Sequence, residues 1–545
     1  MSLLEPTTPP ERRFWSQRNI AVVCLVLCAL LIALTRLRTY NEPFERDATS
    51  YAVIAREMLR GRSLYADLWD IKPPGIHLTY ALSEILFGYG RRTFYILGTG
   101  TAVATLLVLF ACGVAAGGGL RGGVLAALFW TFVCGAARLQ ANQPNTEAFT
   151  NFFSAGALAL LLWPPPSRGR SAWFLLAGFC LFAASFYKPT FVAMGGLLAL
   201  GHFIAPDAGA GNRRRAALDI ALMAAVGIAG WALALLVLYF KGLWPAFYEQ
   251  VVVFNRDYAS GLMREEKSGV LGNLLRGLRP SALAPDFFRF GLLLAVPALA
   301  GLLINGKSHR RAWILLAALA VATHIQVAAS GQFYPHYYQQ WLPVLVVGAA
   351  WGCAALARTG SRRATRWAAL VGPALVLILA ARSALELRRS PEEWTLLKYG
   401  LHGEYFIQAR DLSPEINALL APGESFYQWG VEPGFYMHTK RSPASPVFHA
   451  YPSLFGGSRL EIQKRVIRDL ESAQTELIVL LKEMTPWTRE GAWLREKELP
   501  LLDWICDNYR PAPPDANRGH YLFYIRKGGA LEARLAPNPS TKEQP

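Results

Sequence analysis

Cysteine is scarce and scattered in this chain of 545 residues. There are seven, six of them (Cys24, Cys28, Cys112, Cys134, Cys180, Cys353) inside apolar runs and only Cys506 outside. Neither a disulfide framework nor a zinc-ligand spacing follows from that distribution; small apolar packing residues do. No glycine-rich phosphate loop, nucleophile elbow or HExxH helix occurs, so the sequence shows no binding site for a nucleotide sugar. Acidic residues are few as well, with 38 Asp and Glu against 55 Lys and Arg, a formal net charge of +17. An excess of that size suits nucleic acid only if it forms a patch. Here much of it lies in short loops between apolar runs, which excludes a nucleic-acid partner.

What is abundant is apolar sequence: 53% of the residues are hydrophobic. Runs of about 17–22 residues nearly free of charge match the length that crosses about 30 Å of hydrocarbon. They fall near 19–37, 93–115, 123–138, 147–163, 172–187, 190–205, 217–240, 287–304, 312–329, 339–357 and 367–384. The fold class expected is therefore a polytopic α-helical membrane protein of about eleven transmembrane helices. With the N-terminus cytoplasmic, the inside loops hold Arg121, Arg168, Arg170, Arg213–Arg215, Lys307, Arg310, Arg311, Arg358, Arg362, Arg363 and Arg366. The short outside loops hold only Arg138 and Lys188, so the charge reports topology through the positive-inside rule. Segment 76–88 is apolar but too short to span, and counting it would put the arginine clusters outside. It reads as an interfacial or re-entrant helix within a long external segment, 38–92. Arg12, Arg13 and Arg18 precede the first apolar run, which lacks a small-residue cleavage site and reads as an uncleaved helix.

Residues 1–18 read as a cytoplasmic tail and 19–384 as the membrane module. Within the external segment 241–286, Phe247, Val251, Phe254 and Tyr258 follow the spacing of an amphipathic surface helix. Beyond Arg382 charges become frequent. Strand-like runs at Ser425–Trp429, Glu476–Leu481 and Tyr521–Ile525, with a helical pattern over Ser458–Glu471, predict an extracytoplasmic α/β domain over 385–530. Residues 531–545 read as a disordered tail. The Arg-, Ala- and Gly-rich composition and compact loops suggest a bacterial inner membrane.

Asp47 lies about ten residues beyond the first span, at the membrane surface. A carboxylate there can take the proton of an attacking hydroxyl, or it can cap the helix that follows. Lys72 precedes Pro73-Pro74-Gly75, two prolines that fix an extended entry into the next helix. Its ammonium can bind a phosphate or snorkel to headgroups. Glu147 opens a span and Lys188 separates two, positions equally suited to function or to helix capping and snorkelling. Gln332-Phe-Tyr-Pro-His-Tyr-Tyr-Gln-Gln-Trp341 is a dense external cluster, an interfacial belt or a site in which His336 meets a phosphate.

These segments together resemble the C-superfamily of membrane glycosyltransferases, specifically glycosyltransferase family 39 and its bacterial relatives. The resemblance covers about residues 19–360. It rests on Arg46-Asp47-Ala48 with Tyr51-Ala52, on Gly61-Arg-Ser-Leu-Tyr-Ala-Asp-Leu-Trp-Asp-Ile-Lys-Pro-Pro-Gly75, and on Asn145-Thr146-Glu147, Tyr187-Lys188-Pro189 and Pro335-His336-Tyr337 in order. It implies a polyprenyl-phosphate sugar donor used on the extracytoplasmic face, with inversion at the anomeric carbon. Asp47 would be the catalytic acidic residue and Lys72 the lysine near the donor phosphate. Arg62, Glu147, Lys188, His336 and Tyr337 would line the donor pocket. The acceptor would be a lipid, glycan or protein. In the aminoarabinose transferases a Glu that ligands metal precedes the lysine; Ile71 stands here, so no metal or other cofactor is predicted, though a divalent ion stays open. Ala48 after Asp47 departs from the Asp-Glu pair of the protein mannosyltransferases. The competing readings are a lipid or small-molecule transporter, a non-catalytic binder of lipid-linked sugars in envelope assembly, and a ligase of whole oligosaccharides.

Overall fold

The computed structural model describes residues 17–207, 213–260, 269–279, 285–358 and 362–536. In chain order the first part runs α1 (Gln17–Arg38), α2 (Arg46–Leu59), α3 (Pro74–Phe87), α4 (Arg91–Val114), α5 (Gly119–Val133), α6 (Thr146–Leu162), α7 (Arg170–Tyr187) and α8 (Val192–Ile204). It continues with α9 (Arg213–Phe240), α10 (Trp244–Phe247), α11 (Phe254–Ala259), α12 (Val270–Arg276), α13 (Pro285–Asn305), α14 (Arg310–Ala328), α15 (Leu342–Leu356) and α16 (Arg362–Glu386).

Eight of these helices are long and apolar enough to cross a membrane: α1, α4, α7, α9, α13, α14, α16, and α15 with the turn that precedes it from Pro335. Three shorter apolar helices, Gly119–Val133, Thr146–Leu162 and Pro189–Ile204, fall on the other three expected spans. The protein is an integral membrane protein. Helix α3 covers the short apolar segment 76–88, ending at Phe87. Ile76, His77 and Tyr80 are buried, whereas Leu78, Leu82, Ile85 and Leu86 line an exposed apolar face. The amphipathic pattern of 241–286 forms α10 and α11, joined by one π-helical turn, Tyr248–Val253, with Phe247 and Val251 buried.

The C-terminal part holds α17 (Pro391–Tyr399), α18 (Leu401–Leu419), β1 (Phe426–Trp429), α19 (Gly434–Thr439), α20 (Tyr451–Leu454), α21 (Arg459–Ser472), β2 (Leu477–Leu481), α22 (Pro500–Asn508), β3 (Tyr509–Pro511), β4 (Asn517–Arg518), β5 (Tyr521–Arg526) and α23 (Ala530–Leu535). The sheet order is β1-β2-β5-β3, with β4 also on β5; β1 and β2 are parallel and the other pairs antiparallel. β1 and β2 are buried at every position, as a strand covered on both faces requires. β5 alternates buried and half-buried residues. The first residues of the tail expected over 531–545 are helical, in α23. Leu531 is buried with its N–H on Glu476 (2.8 Å), and Arg534 pairs with Glu424 (2.6 Å), so these contacts order α23. Residues 537–545, like 1–16, lie outside the described residues.

Packing does not follow the change of composition near 385. Phe44, Tyr51, Tyr65 and Tyr80 of the first external segment share one apolar core with Tyr427, Leu480 and Phe523 of the sheet. The bundle helices form a second core. Within it α13 and α15 approach so closely that a Cβ on Gly352 would lie 1.7 Å from the Pro297 carbonyl oxygen. Small residues at such crossings let membrane helices gain contact area. Gly352→Ala is expected to lower the stability of the detergent-solubilised protein by about 1–3 kcal/mol through overpacking. Gly100→Ala, whose Cβ would meet nothing within 4 Å, is the control that thermal denaturation should leave unchanged.

Candidate active site

Helix α2 follows the first apolar helix after a short turn, and its own first turn carries the site. Glu45, not Asp47, occupies the N-cap, with extended backbone and no side-chain cap bond. Asp47 sits in the first helical turn, where the helix dipole favours an anion. Its side chain is 38% exposed. Asp47 Oδ2 accepts from Asn145 Nδ2 at 3.3 Å. The Asn145 amide is oriented from both ends: its oxygen caps α6 by accepting from the Thr146 N–H (2.7 Å) and also accepts from the Tyr51 hydroxyl (3.4 Å). His336 Nε2 lies 4.0 Å from Asp47 Oδ2. Its Nδ1 is 3.0 Å from Gln140 Oε1, while Gln140 Nε2 donates to the Lys398 carbonyl (3.2 Å). That orientation makes Nδ1 the donor, so the neutral ring turns its Nε2 lone pair toward Asp47. Tyr334 stacks on His336 with centroids 5.7 Å apart, and Tyr337 meets its edge at 4.6 Å.

The cations come from two turns that touch. Lys188 caps α7 and donates to Glu147 Oε1 at 2.9 Å, with its ammonium 3.9 Å from the centre of the Tyr337 ring. Thr146 Oγ1 donates to the other Glu147 oxygen at 2.9 Å. The Lys72-Pro-Pro-Gly75 turn docks on the end of α7, where a Cβ on Gly75 would lie 2.6 Å from the Phe186 carbonyl oxygen. Only glycine permits that approach. Lys72 is held by its backbone, N–H to Asp70 Oδ1 (3.0 Å) and carbonyl to the Tyr65 hydroxyl (2.8 Å). No hydrogen bond or ion pair of its ammonium occurs among the described residues. Burial pushes Asp70 up to about 7, with Lys72 opposing. Burial, aided by the positive charge of Lys72, pushes His77 down to about 3. The charges of Lys72, Lys188 and His336 act on Glu147, and those of Asp47 and Lys72 act on both Lys188 and His336.

Arg62 is not brought into this cluster. It lies beyond the far end of α2, roughly 18 Å along the axis from Asp47 at 1.5 Å per residue. There it pairs with Glu57 (3.3 Å) and donates to the carbonyls of Asp67 (2.8 Å) and Pro443 (3.2 Å).

Several groups around Asp47 were not singled out from the sequence. Glu45 is buried, accepts from the Tyr399 hydroxyl (3.1 Å), and gives its N–H to Gln143 Oε1 (3.1 Å). Burial and then the charge of Asp47 push its carboxyl from 4.5 up to about 8. Glu42 takes Lys398 (2.5 Å) and Asn142 (2.6 Å). Arg46 pairs with Glu432 (2.6 Å) and Ser50 meets His449 (2.7 Å), both from the C-terminal part. The available signal was the run Gln140-Ala-Asn-Gln-Pro-Asn145, dense in amides between two apolar spans.

Among the described residues, metal-ligating side chains converge in a group of three at His202, Asp207 and Asp219, away from Asp47. Arg170 donates to both carboxylates (2.8 and 2.5 Å), and Arg311 lies 3.1 Å from His202 Nδ1. Two guanidinium groups thus neutralise the cluster from within.

No protein-family model matches the chain, and no curated protein matches its sequence. Solved structures do. ArnT from Cupriavidus metallidurans in the apo state superposes with a TM-score of 0.58 at 17% identity, over 96% of this chain and 100% of that one. Its structure bound to undecaprenyl phosphate gives 0.57 at 16%, over 95% and 99%. The archaeal oligosaccharyltransferase AglB from Archaeoglobus fulgidus, in complex with an inhibitory peptide and a dolichol-phosphate, gives 0.53 at 16%, over 93% and 74%. The chain has the fold that ArnT and AglB share.

Glu45 supplies a test of the site's electrostatics. Unfolded, its carboxyl ionises near 4.5; folded, it keeps its proton to about 8. Its ionisation therefore opposes folding increasingly as pH rises through that window. Relative to wild type, Glu45→Gln should gain on the order of 3 kcal/mol of stability between pH 5 and pH 8. Denaturation midpoints at both pH values measure this; a constant gap contradicts the assignment.

Proposed function

We propose that the protein is a glycosyltransferase that moves a sugar from a polyprenyl-phosphate carrier to an acceptor hydroxyl on the extracytoplasmic side of a bacterial inner membrane. The observation that carries this reading is a solvent-reached carboxylate, Asp47, in one site with Lys72, whose ammonium has no hydrogen bond or ion pair among the described residues of a bundle with this fold. The neighbours add weight, since one binds undecaprenyl phosphate and another a dolichol-phosphate. The arginine-rich inside loops support the orientation.

In this reading Asp47 accepts the proton of the acceptor hydroxyl as its oxygen attacks the anomeric carbon. The bond from that carbon to the phosphate oxygen breaks on the opposite face, so the configuration inverts. Polyprenyl phosphate leaves with the bonding pair, and its added negative charge is met by Lys72. Lys188, already paired with Glu147, sets the local field and shapes the pocket with Tyr337. His336 stands beside the base, with its ring held by Gln140 and Tyr334. Arg62 has no direct part. The domain over 385–530 covers the site and holds the turn that bears Asp47. A transporter reading gains nothing from the structure, because the clustered charges lie at helix ends.

The test is release of free polyprenyl phosphate from a panel of polyprenyl-phosphate sugars in liposomes, with envelope lipid and glycan supplied as acceptors. Asp47→Asn is expected to slow release by roughly 10²–10⁴. Lys72→Met is expected to raise the donor KM roughly tenfold or more. Equal release by wild type and Asp47→Asn would remove Asp47 as the base, and no release by folded wild type would remove the reaction.

A further inference from the structure

The parallel strands β1 and β2 end on the same edge of the sheet, the edge at which open α/β sheets meet ligands. The loop after β1 carries Glu432 to Arg46, next to Asp47. The segment after β2 carries Trp493, which is 47% exposed and donates its indole N–H to the Glu483 carbonyl at 2.8 Å. Lys497 lies between two rings, its ammonium 5.9 Å from the centre of Trp493 and 5.2 Å from that of Phe455. Phe455 is 6.2 Å from Tyr451. Tyr451 is within electrostatic reach of Arg46, Tyr334 and Glu483. Tyr334, itself 38% exposed, lies parallel to His336 beside Asp47.

Tyr451, Phe455 and Trp493 form a run of rings joined through Lys497, and Arg46, next to Asp47, connects that run to the side of the site where Tyr334 stands on His336. Arg46, Glu483 and Lys497 alternate with the rings, which is unsuited to a lipid tail. Flat rings interleaved with hydrogen-bonding groups complement a pyranose, which offers an apolar C–H face and a rim of hydroxyls.

We propose that the acceptor is a carbohydrate chain, which reaches Asp47 along the strip Tyr334–Tyr451–Phe455–Trp493. The proposal deepens the glycosyl-transfer reading and rests on it for the word acceptor, but its binding test is independent of transfer. The experiment uses the full-length protein in detergent and follows the anisotropy of a fluorescently end-labelled, water-soluble glycan fraction of the cell envelope. A labelled tryptic peptide fraction and labelled envelope lipid are run beside it. Saturable binding of the glycan alone is expected, weakened roughly tenfold in Trp493→Ala and in Tyr451→Ala. Trp504→Phe, outside the strip, controls for a general effect of losing an indole. In the transfer assay Trp493→Ala should raise the glycan KM by a similar factor and leave kcat in place. Asp47→Asn should lose transfer yet keep the binding curve. Glycan binding without transfer in the wild type would sink the reaction and leave the strip as a saccharide site. No glycan binding, glycan binding indifferent to Trp493 and Tyr451, or transfer to lipid or peptide alone would overturn the proposal.

Discussion

Arg36, in the last turn of the first membrane helix, is only 7% exposed, and its guanidinium donates to the carbonyls of Cys134, Ala141 and Asn142. A buried arginine without partners would cost several kcal/mol, so the turn from 134 to 145 has to wrap around it. Everything near Asp47 hangs from that turn. Gln140 fixes the tautomer of His336, Asn142 bridges Glu42 and Lys398, Gln143 receives the N–H of Glu45, and Asn145 holds Asp47. One residue at the end of α1 thereby sets the register of an external segment that begins a few residues later.

The charges in the site are graded by what each already holds. Lys188 and Glu147 satisfy each other, so the pair is a fixture of the pocket. Lys72 has its backbone tied, and its ammonium has no hydrogen bond or ion pair among the described residues. Glu45 stands two residues from Asp47, and two bare carboxylates at that spacing would repel. Burial, and then the charge of Asp47, hold the Glu45 carboxyl up at about 8, which eases the conflict.

The eleven apolar runs were legible because hydrocarbon imposes length and composition on each span separately. β1, β2 and the start of β5 were legible for a similar local reason, being apolar runs bounded by turns. β3 and β4 were not: Tyr509–Pro511 contains a proline, Asn517–Arg518 is polar, and both are strands only because β5 offers them an edge. The site was legible where a motif carries its own geometry, as Gly75 does for the turn of Lys72. It was illegible where a partner lies far along the chain, as Asn145 does for Asp47 and Glu432 for Arg46. Arg62 shows the converse. It belongs to the same stretch as Lys72, yet the intervening chain folds back and gives it to Glu57.

The composition boundary near 385 marks where long apolar runs end, a local property of the sequence. The packing boundary separates the bundle from everything above it. Helix α2 belongs to the upper side: Ser50 and Arg46 on its first turns are bonded to His449 and Glu432, and Trp69 and Ala66 beyond it are bonded to Pro446 and Arg465. Asp47 therefore stands on an element whose buried face is completed by the C-terminal sheet, while its carboxylate is aimed by a turn of the bundle. A carboxylate held from both sides is placed by neither part alone, so the C-terminal part and the bundle fix the position of Asp47 together.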